Sequence, residues 1–187
     1  MTANEFISKW DAVVRKAQAK AEAAGASGAA DDMQLAKAAP AILDSPSFPP
    51  DAARFLVEAG LPESCAPFLT FDAVARGPLP LVQYYGAHQF RPSDVPRLAP
   101  FYVLGFDGSG NPLCLDSAHA GEIVMLDHED RFQPRMFIAS SVATLAQALL
   151  VVHTIPHEDF VEHVRAFDSR AAEQSAFLPT EVSMLSH

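Results

Sequence analysis

The sequence predicts an α+β fold: a twisted antiparallel β-sheet of about five to six strands, helices packed on it, and an additional N-terminal helix. Three observations carry this expectation. Helical periodicity at both ends brackets a series of short, β-rich segments between residues 79 and 139. The intervals between those segments are too short for crossover helices, so neighbouring strands pair antiparallel. The 187 residues are 49% hydrophobic and 19% charged, enough apolar material for a core and too much for global disorder.

The elements follow in order. Thr2 and Glu5 have capping-box spacing, and Phe6, Trp10, Val13, Val14 and Ala17 then share one face of a helix that Gly25 stops. Residues 26–39 are Ala-rich and read as a linker with room for a short helix. A Ser-Pro turn at 45–50 opens a second helix over 51–59, with Phe55, Leu56 and Ala59 inward and Gly60 as its left-handed cap. Residues 61–78 read as irregular, with Phe68, Leu69 and Phe71 buried. Strands are predicted at 79–85, 101–106, 112–116, 122–127 and 135–139. The run Asp107-Gly108-Ser109-Gly110-Asn111 has hairpin-loop composition. Ser140 or Ser141 caps a helix running to His153, and Pro156 begins another that carries Phe160, Val161, Val164 and Phe167. The last fifteen or so residues read as poorly anchored. The organisation expected is an N-terminal helix and Ala-rich linker over 1–45, an α+β domain over 46–172 and a tail over 173–187.

Thirteen basic against twenty-three acidic residues give a net charge of −10, which disfavours nucleic acid as a direct partner and favours basic proteins. Cys65 and Cys114 fit neither a disulfide framework nor a metal motif, as expected in a reducing compartment. Residues 1–25 are rich in charge and hold no apolar signal core. No run approaches the ~20 apolar residues of a membrane span. A cytoplasmic protein with no membrane partner is the expectation.

Sites for chemistry are scarce. His157 and His163 are six residues apart, which turns them about 120° from coincidence on a helix, so the zinc-protease arrangement is not met. His153 and His157 have the right spacing, but Pro156 interrupts it. Asp127-His128-Glu129-Asp130 reads as a solvated turn or an acidic docking patch before a cation site. The 107–111 loop lacks the residues of a calcium or phosphate loop, and Ser140-Ser141 is explained by helix capping. Neither a catalytic residue, a metal nor a cofactor is predicted. Tyr84 and Tyr85, read as adjacent on a strand, place one ring outward as a contact residue.

Residues 101–116 (FYVLGFDGSGNPLCLD), 121–129 (GEIVMLDHE) and 136–141 (MFIASS), with Phe55-Leu56, Gly60-Leu61-Pro62 and Phe68-Leu69 upstream, together resemble the SUKH superfamily (Smi/Knr-type proteins) over residues 50–153. Ala139 stands where that family commonly has Asn. The resemblance implies helices on a strongly twisted antiparallel sheet, and a role as a non-enzymatic bacterial immunity protein that binds a cognate polymorphic toxin, such as a basic nuclease domain. The family supplies no catalytic residues to carry over. The expected partner-binding residues are Tyr84, Tyr85, Asp127, Glu129 and Asp130. Two alternatives stand beside this reading. One is a regulatory scaffold with a housekeeping partner. The other is a metal-dependent hydrolase using Asp127, His128 and Glu129 with one of His153, His157 or His163.

Overall fold

Thr2 caps the first helix, α1 (Ala3–Ala23), with its hydroxyl accepting the Glu5 N–H at 3.3 Å while Glu5 Oε2 accepts the Thr2 N–H at 2.8 Å. The computed structural model describes residues 1–26 and 31–185; residues 27–30 of the Ala-rich stretch and the last two residues of the tail lie outside the described residues. α1 buries Phe6, Trp10, Val13 and Val14. Trp10 Nε1 donates to the Met33 carbonyl at 2.8 Å. The described part of the Ala-rich stretch beyond residue 30 is therefore tied to α1 at Met33. A 3₁₀ turn (Asp31–Met33) leads into β1 (Leu35–Ala36), which pairs antiparallel with β2 (Leu61–Pro62).

α2 (Pro50–Glu58) buries Ala52, Ala53, Phe55 and Leu56. Gly60 follows at φ +76°, and a Cβ there would stand 2.1 Å from the Ala36 carbonyl oxygen. Only glycine meets both the left-handed turn and the close approach of β1. β3 (Ser64–Cys65) and β4 (Leu69–Thr70) form a hairpin. Leu69 and Phe71 are buried as expected, but Phe68, at φ 64°, is 69% exposed. The left-handed backbone turns its ring away from the sheet.

A second difference lies at residues 79–85. Only β5 (Leu79–Pro80) is strand; after α3 (Asp72–Arg76), Pro80 caps the helical turn α4 (Leu81–Tyr85), which ends at Gly86, φ 88°. The β propensity of Val82, Tyr84 and Tyr85 yields to packing, because Leu81 and Val82 are both buried and alternation would bury only one of them. α5 (Val95–Leu98) completes this segment.

The sheet is antiparallel and seven-stranded, more than the five to six expected, because β3 and β4 join it. β6 (Phe101–Phe106), β7 (Pro112–Asp116), β8 (Glu122–Leu126) and β9 (Arg135–Ala139) continue the order β3-β4-β6-β7-β8-β9, and β5 also pairs with β6. Every residue of β7 is buried, because both faces of the sheet are covered. On one face Leu104, Leu113, Leu115 and Ile123 join the larger core. That core holds buried residues of α1, α2, α6 (Val142–Thr154), α7 (Phe160–Arg165) and α8 (Phe177–Met184). On the other face Val103, Cys114, Val124 and Leu126 pack with Leu81, Val82 and Leu98 of α4 and α5. Ser141 caps α6, accepting the Thr144 N–H at 3.1 Å. The C-terminal segment is anchored, contrary to expectation: Phe177, Leu178, Pro179 and Val182 of α8 are buried. Among the described residues no helix is long and apolar enough to cross a membrane.

Candidate functional site

The β8–β9 loop is built around Asp127. Its Oδ1 accepts the N–H groups of Glu129 (2.8 Å) and Asp130 (3.2 Å), and its carbonyl accepts the Phe132 N–H at 2.7 Å. Asp127 thus shapes the loop, whereas Glu129 and Asp130 project into solvent. Arg131 and Phe132 follow with φ of 54° and 63°. Such left-handed backbone costs ~1–2 kcal/mol at a residue with a Cβ. Arg97 of α5 holds it in place, donating to the carbonyls of Arg131 (3.0 Å) and Phe132 (3.4 Å). On the far side, Asn111 Oδ1 accepts the His128 N–H at 3.2 Å and lies 2.9 Å from His128 Nδ1.

Tyr84 and Tyr85 lie on α4, not on a strand, and both are half-buried. They belong to a continuous file of rings. From Phe106 to Tyr84 the centroids are 5.5 Å apart, from Tyr84 to Tyr85 5.4 Å, from Tyr85 to Phe132 5.1 Å, and from Phe132 to Phe90 5.5 Å. Burial first, then Cys114 and Tyr84, push the Tyr85 phenol up to about 12, so it stays neutral and available as a hydrogen-bond donor.

Two openings flank this file. A cleft of about 400 Å³ is walled by Tyr85, Phe90, Arg91, Glu129, Arg131 and Phe132, among others. It brings together two of the expected residues, Tyr85 and Glu129. Tyr84 instead lines a shallower groove of about 520 Å³ with Phe106, Asp32, Glu63, Asp72 and Arg76. Asp72 is paired with Arg76. Of the expected set, Tyr85 and Glu129 thus line one opening and Tyr84 the other, whereas Asp127 and Asp130 line neither; Asp32, Glu63, Arg91 and Arg131 line these openings unforeseen. Asp32, Glu63 and the β8–β9 loop residues come from segments that only the fold brings near Tyr84 and Tyr85.

Two further polar clusters lie elsewhere in the structure; the sequence assigns Asp116 of the first to turns and fold. Asp116 is only 1% exposed and accepts from Arg135 Nε at 3.0 Å and from the Ala118 N–H at 3.0 Å, with His119 Nδ1 at 2.9 Å. Arg135 and Arg170 both pair with Glu122. Burial raises the Glu122 carboxyl, but its hydrogen bonds to the two guanidinium groups outweigh it and hold the group below the ordinary range. Buried Asp168 accepts the Ser140 N–H at 2.7 Å, the Ser140 hydroxyl at 3.0 Å and the Ala171 N–H at 3.1 Å, tying the start of α6 to the chain beyond α7. Both clusters are internally satisfied and serve the fold. Burial pushes the Cys65 and Cys114 thiols up, so neither is a ready nucleophile. Among the described residues no group of three or more His, Cys, Asp or Glu side chains is placed to hold a metal ion, and Asp127, His128 and Glu129 are not gathered with His153, His157 or His163.

The family model described as SUKH-4 immunity protein matches residues 15–181. The chain belongs to the SUKH-4 immunity protein family. The match is wider than the resemblance read over 50–153. It further takes in the C-terminal part of α1, strand β1 and most of α8, elements whose apolar residues contribute to one core. No curated protein and no solved structure matches the chain.

Proposed function

We propose that this SUKH-4 family member is a cytoplasmic immunity protein that binds a cognate polymorphic toxin and blocks it by occlusion, without catalysis of its own. The observation that carries the reading is the family match over residues 15–181. The binding surface is the one that α4 and the β8–β9 loop build. Tyr84 and Tyr85 supply rigid aromatic contact area, Glu129 and Asp130 project from the loop, and Asp127 fixes the loop's shape. Tyrosine is among the side chains enriched at interface hot spots, because it buries large area at little entropic cost. The net charge of −10 suits a basic toxin such as a nuclease, since opposite charge speeds capture.

Co-expression tests this directly. The toxin domain encoded beside the gene is expressed with and without the full chain, and host survival is scored. Survival only in the presence of the chain is expected; death in both cases overturns the reading.

A further inference from the structure

Cys65 pairs with Leu69 across the β3–β4 hairpin, so its loop is Ala66, Pro67 and Phe68. In three-residue hairpin loops the left-handed position is the place of glycine, because a Cβ there crowds the following carbonyl. Here that position holds Phe68, at φ 64°. The ring is 69% exposed, so burial within the fold does not offset the cost of its backbone. The tip is nevertheless well supported. β4 meets β6 at Thr70 and Phe106, which sets Phe68 against Gly108, where an added Cβ would stand 3.2 Å from the Phe68 Cβ. Asp107 braces the loop beneath, accepting the N–H groups of Ser109 (2.9 Å) and Asn111 (2.8 Å). Glu181 of α8 is half-buried, and burial, then the charge of Asp107, raise its carboxyl above the ordinary range. Neither carboxylate has an ion pair among the described residues. Thr70 and Phe106 also line the groove beside Tyr84, so the hairpin tip continues the surface proposed for the toxin.

We propose that Phe68 is an anchor of the toxin-docking surface: its ring enters an apolar pocket of the toxin domain, and a lysine or arginine at the rim of that pocket reaches the carboxylates of Asp107 and Glu181. The inference rests on the immunity reading and adds to it an anchoring residue and the chemistry of the partner. Strain in a non-glycine backbone is a pointer to function where the fold itself draws nothing from the side chain. Burial of the ring on docking offsets the cost of its backbone conformation in the free chain. An aromatic side chain on a supported tip is the kind of residue that fills a partner's pocket and dominates an interface. Charge complementarity supplies the rest of the occupant. Two carboxylates facing one another repel, and a cation brought between them relieves that repulsion, whereas an acidic toxin face adds to it.

The test titrates the inactivated toxin domain encoded beside the gene against the full chain and its variants by calorimetry, with thermal melting of each variant alongside. Asparagine takes left-handed backbone more readily than phenylalanine. Phe68→Asn is therefore expected to melt no lower than wild type and yet to bind roughly tenfold more weakly or worse. Phe68→Tyr keeps the ring and is expected to retain most of the affinity. Glu181→Lys sets a like charge before the partner's cation and is expected to weaken binding severalfold. Glu181→Gln, read in the same way, replaces it if the reversal does not fold. Wild-type affinity in Phe68→Asn overturns the anchor, and in the Glu181 variant the basic rim, while toxin capture stands. A Phe68→Asn chain that melts several degrees below wild type assigns the ring to the fold and also overturns the proposal. A wild-type chain that binds no toxin domain overturns both the anchor and the immunity reading.

Discussion

His153 meets Trp10 edge-on where α1 crosses α6, with ring centroids 5.2 Å apart, and its Nε2 is buried without a hydrogen-bond partner among the described residues. Burial, then the nearby His157, hold its pKa below the ordinary 6.5. The fold thus favours the neutral ring. As pH falls below 6.5 the unfolded chain gains a proton that the folded chain resists, so stability declines with acidification. His153→Phe removes that proton uptake, so the melting temperature of the variant is expected to rise relative to that of wild type from about pH 8 to about pH 5. A difference in melting temperature that stays constant with pH contradicts the assignment. Asp127 yields a second expectation at this scale. Asp127→Ala leaves the N–H groups of Glu129 and Asp130 without their acceptor, a loss of about 1–2 kcal/mol, or roughly 2–8 °C in melting temperature. Asp127→Asn keeps a side-chain oxygen and is expected to melt close to wild type.

At the scale of elements, close backbone approach sets the strictest demands. A Cβ on Gly105 would stand 1.7 Å from the Thr70 carbonyl oxygen, where β6 meets β4 and beside the register shift in its pairing with β7. Gly105→Ala forces those strands apart and is expected to destabilise by ~3 kcal/mol or more, the upper range for single substitutions. A melting temperature within a degree or two of wild type contradicts that contact. α8 makes a similar point from packing. Phe177 is 3% exposed within the larger core, so Phe177→Ala is expected to cost ~3–5 kcal/mol, read from denaturant unfolding. A peripheral tail loses almost nothing.

These elements also show what a sequence reveals and what it hides. The limits of β6, β7 and β9 coincide with the ranges read from β-rich runs, because turn residues bound each strand in the chain itself. The Thr2–Glu5 box and the Gly60 cap were legible for the same reason: partner and signal lie within a few residues. α4 and α8 were hidden because their conformation answers to distant contacts. Leu81 and Val82 pack beneath β6, β7 and β8, and Phe177 with Leu178 packs into a core assembled from the whole chain. Phe68 was misplaced because nothing local announces a non-glycine residue in left-handed backbone. The site divides along the same line. Tyr84 and Tyr85 are neighbours in sequence, whereas Asp32, Glu63 and Arg131 meet them only in space.

For the whole molecule, the proposed function gives twenty-three acidic against thirteen basic residues a field that would act before contact with the toxin, and the file of rings a part that would follow it. The two are separable by salt. Raising ionic strength is expected to slow association with the toxin domain severalfold and to change dissociation much less, measured by surface plasmon resonance. A rate of association indifferent to salt contradicts electrostatic capture. The central claim, that the ridge formed by α4 and the β8–β9 loop is where the toxin docks, is most directly tested by hydrogen exchange with mass spectrometry on the full chain, alone and in the toxin complex. The account predicts added protection concentrated in residues 81–98 and 127–132. Protection confined to other parts of the chain, with these segments unchanged, contradicts it.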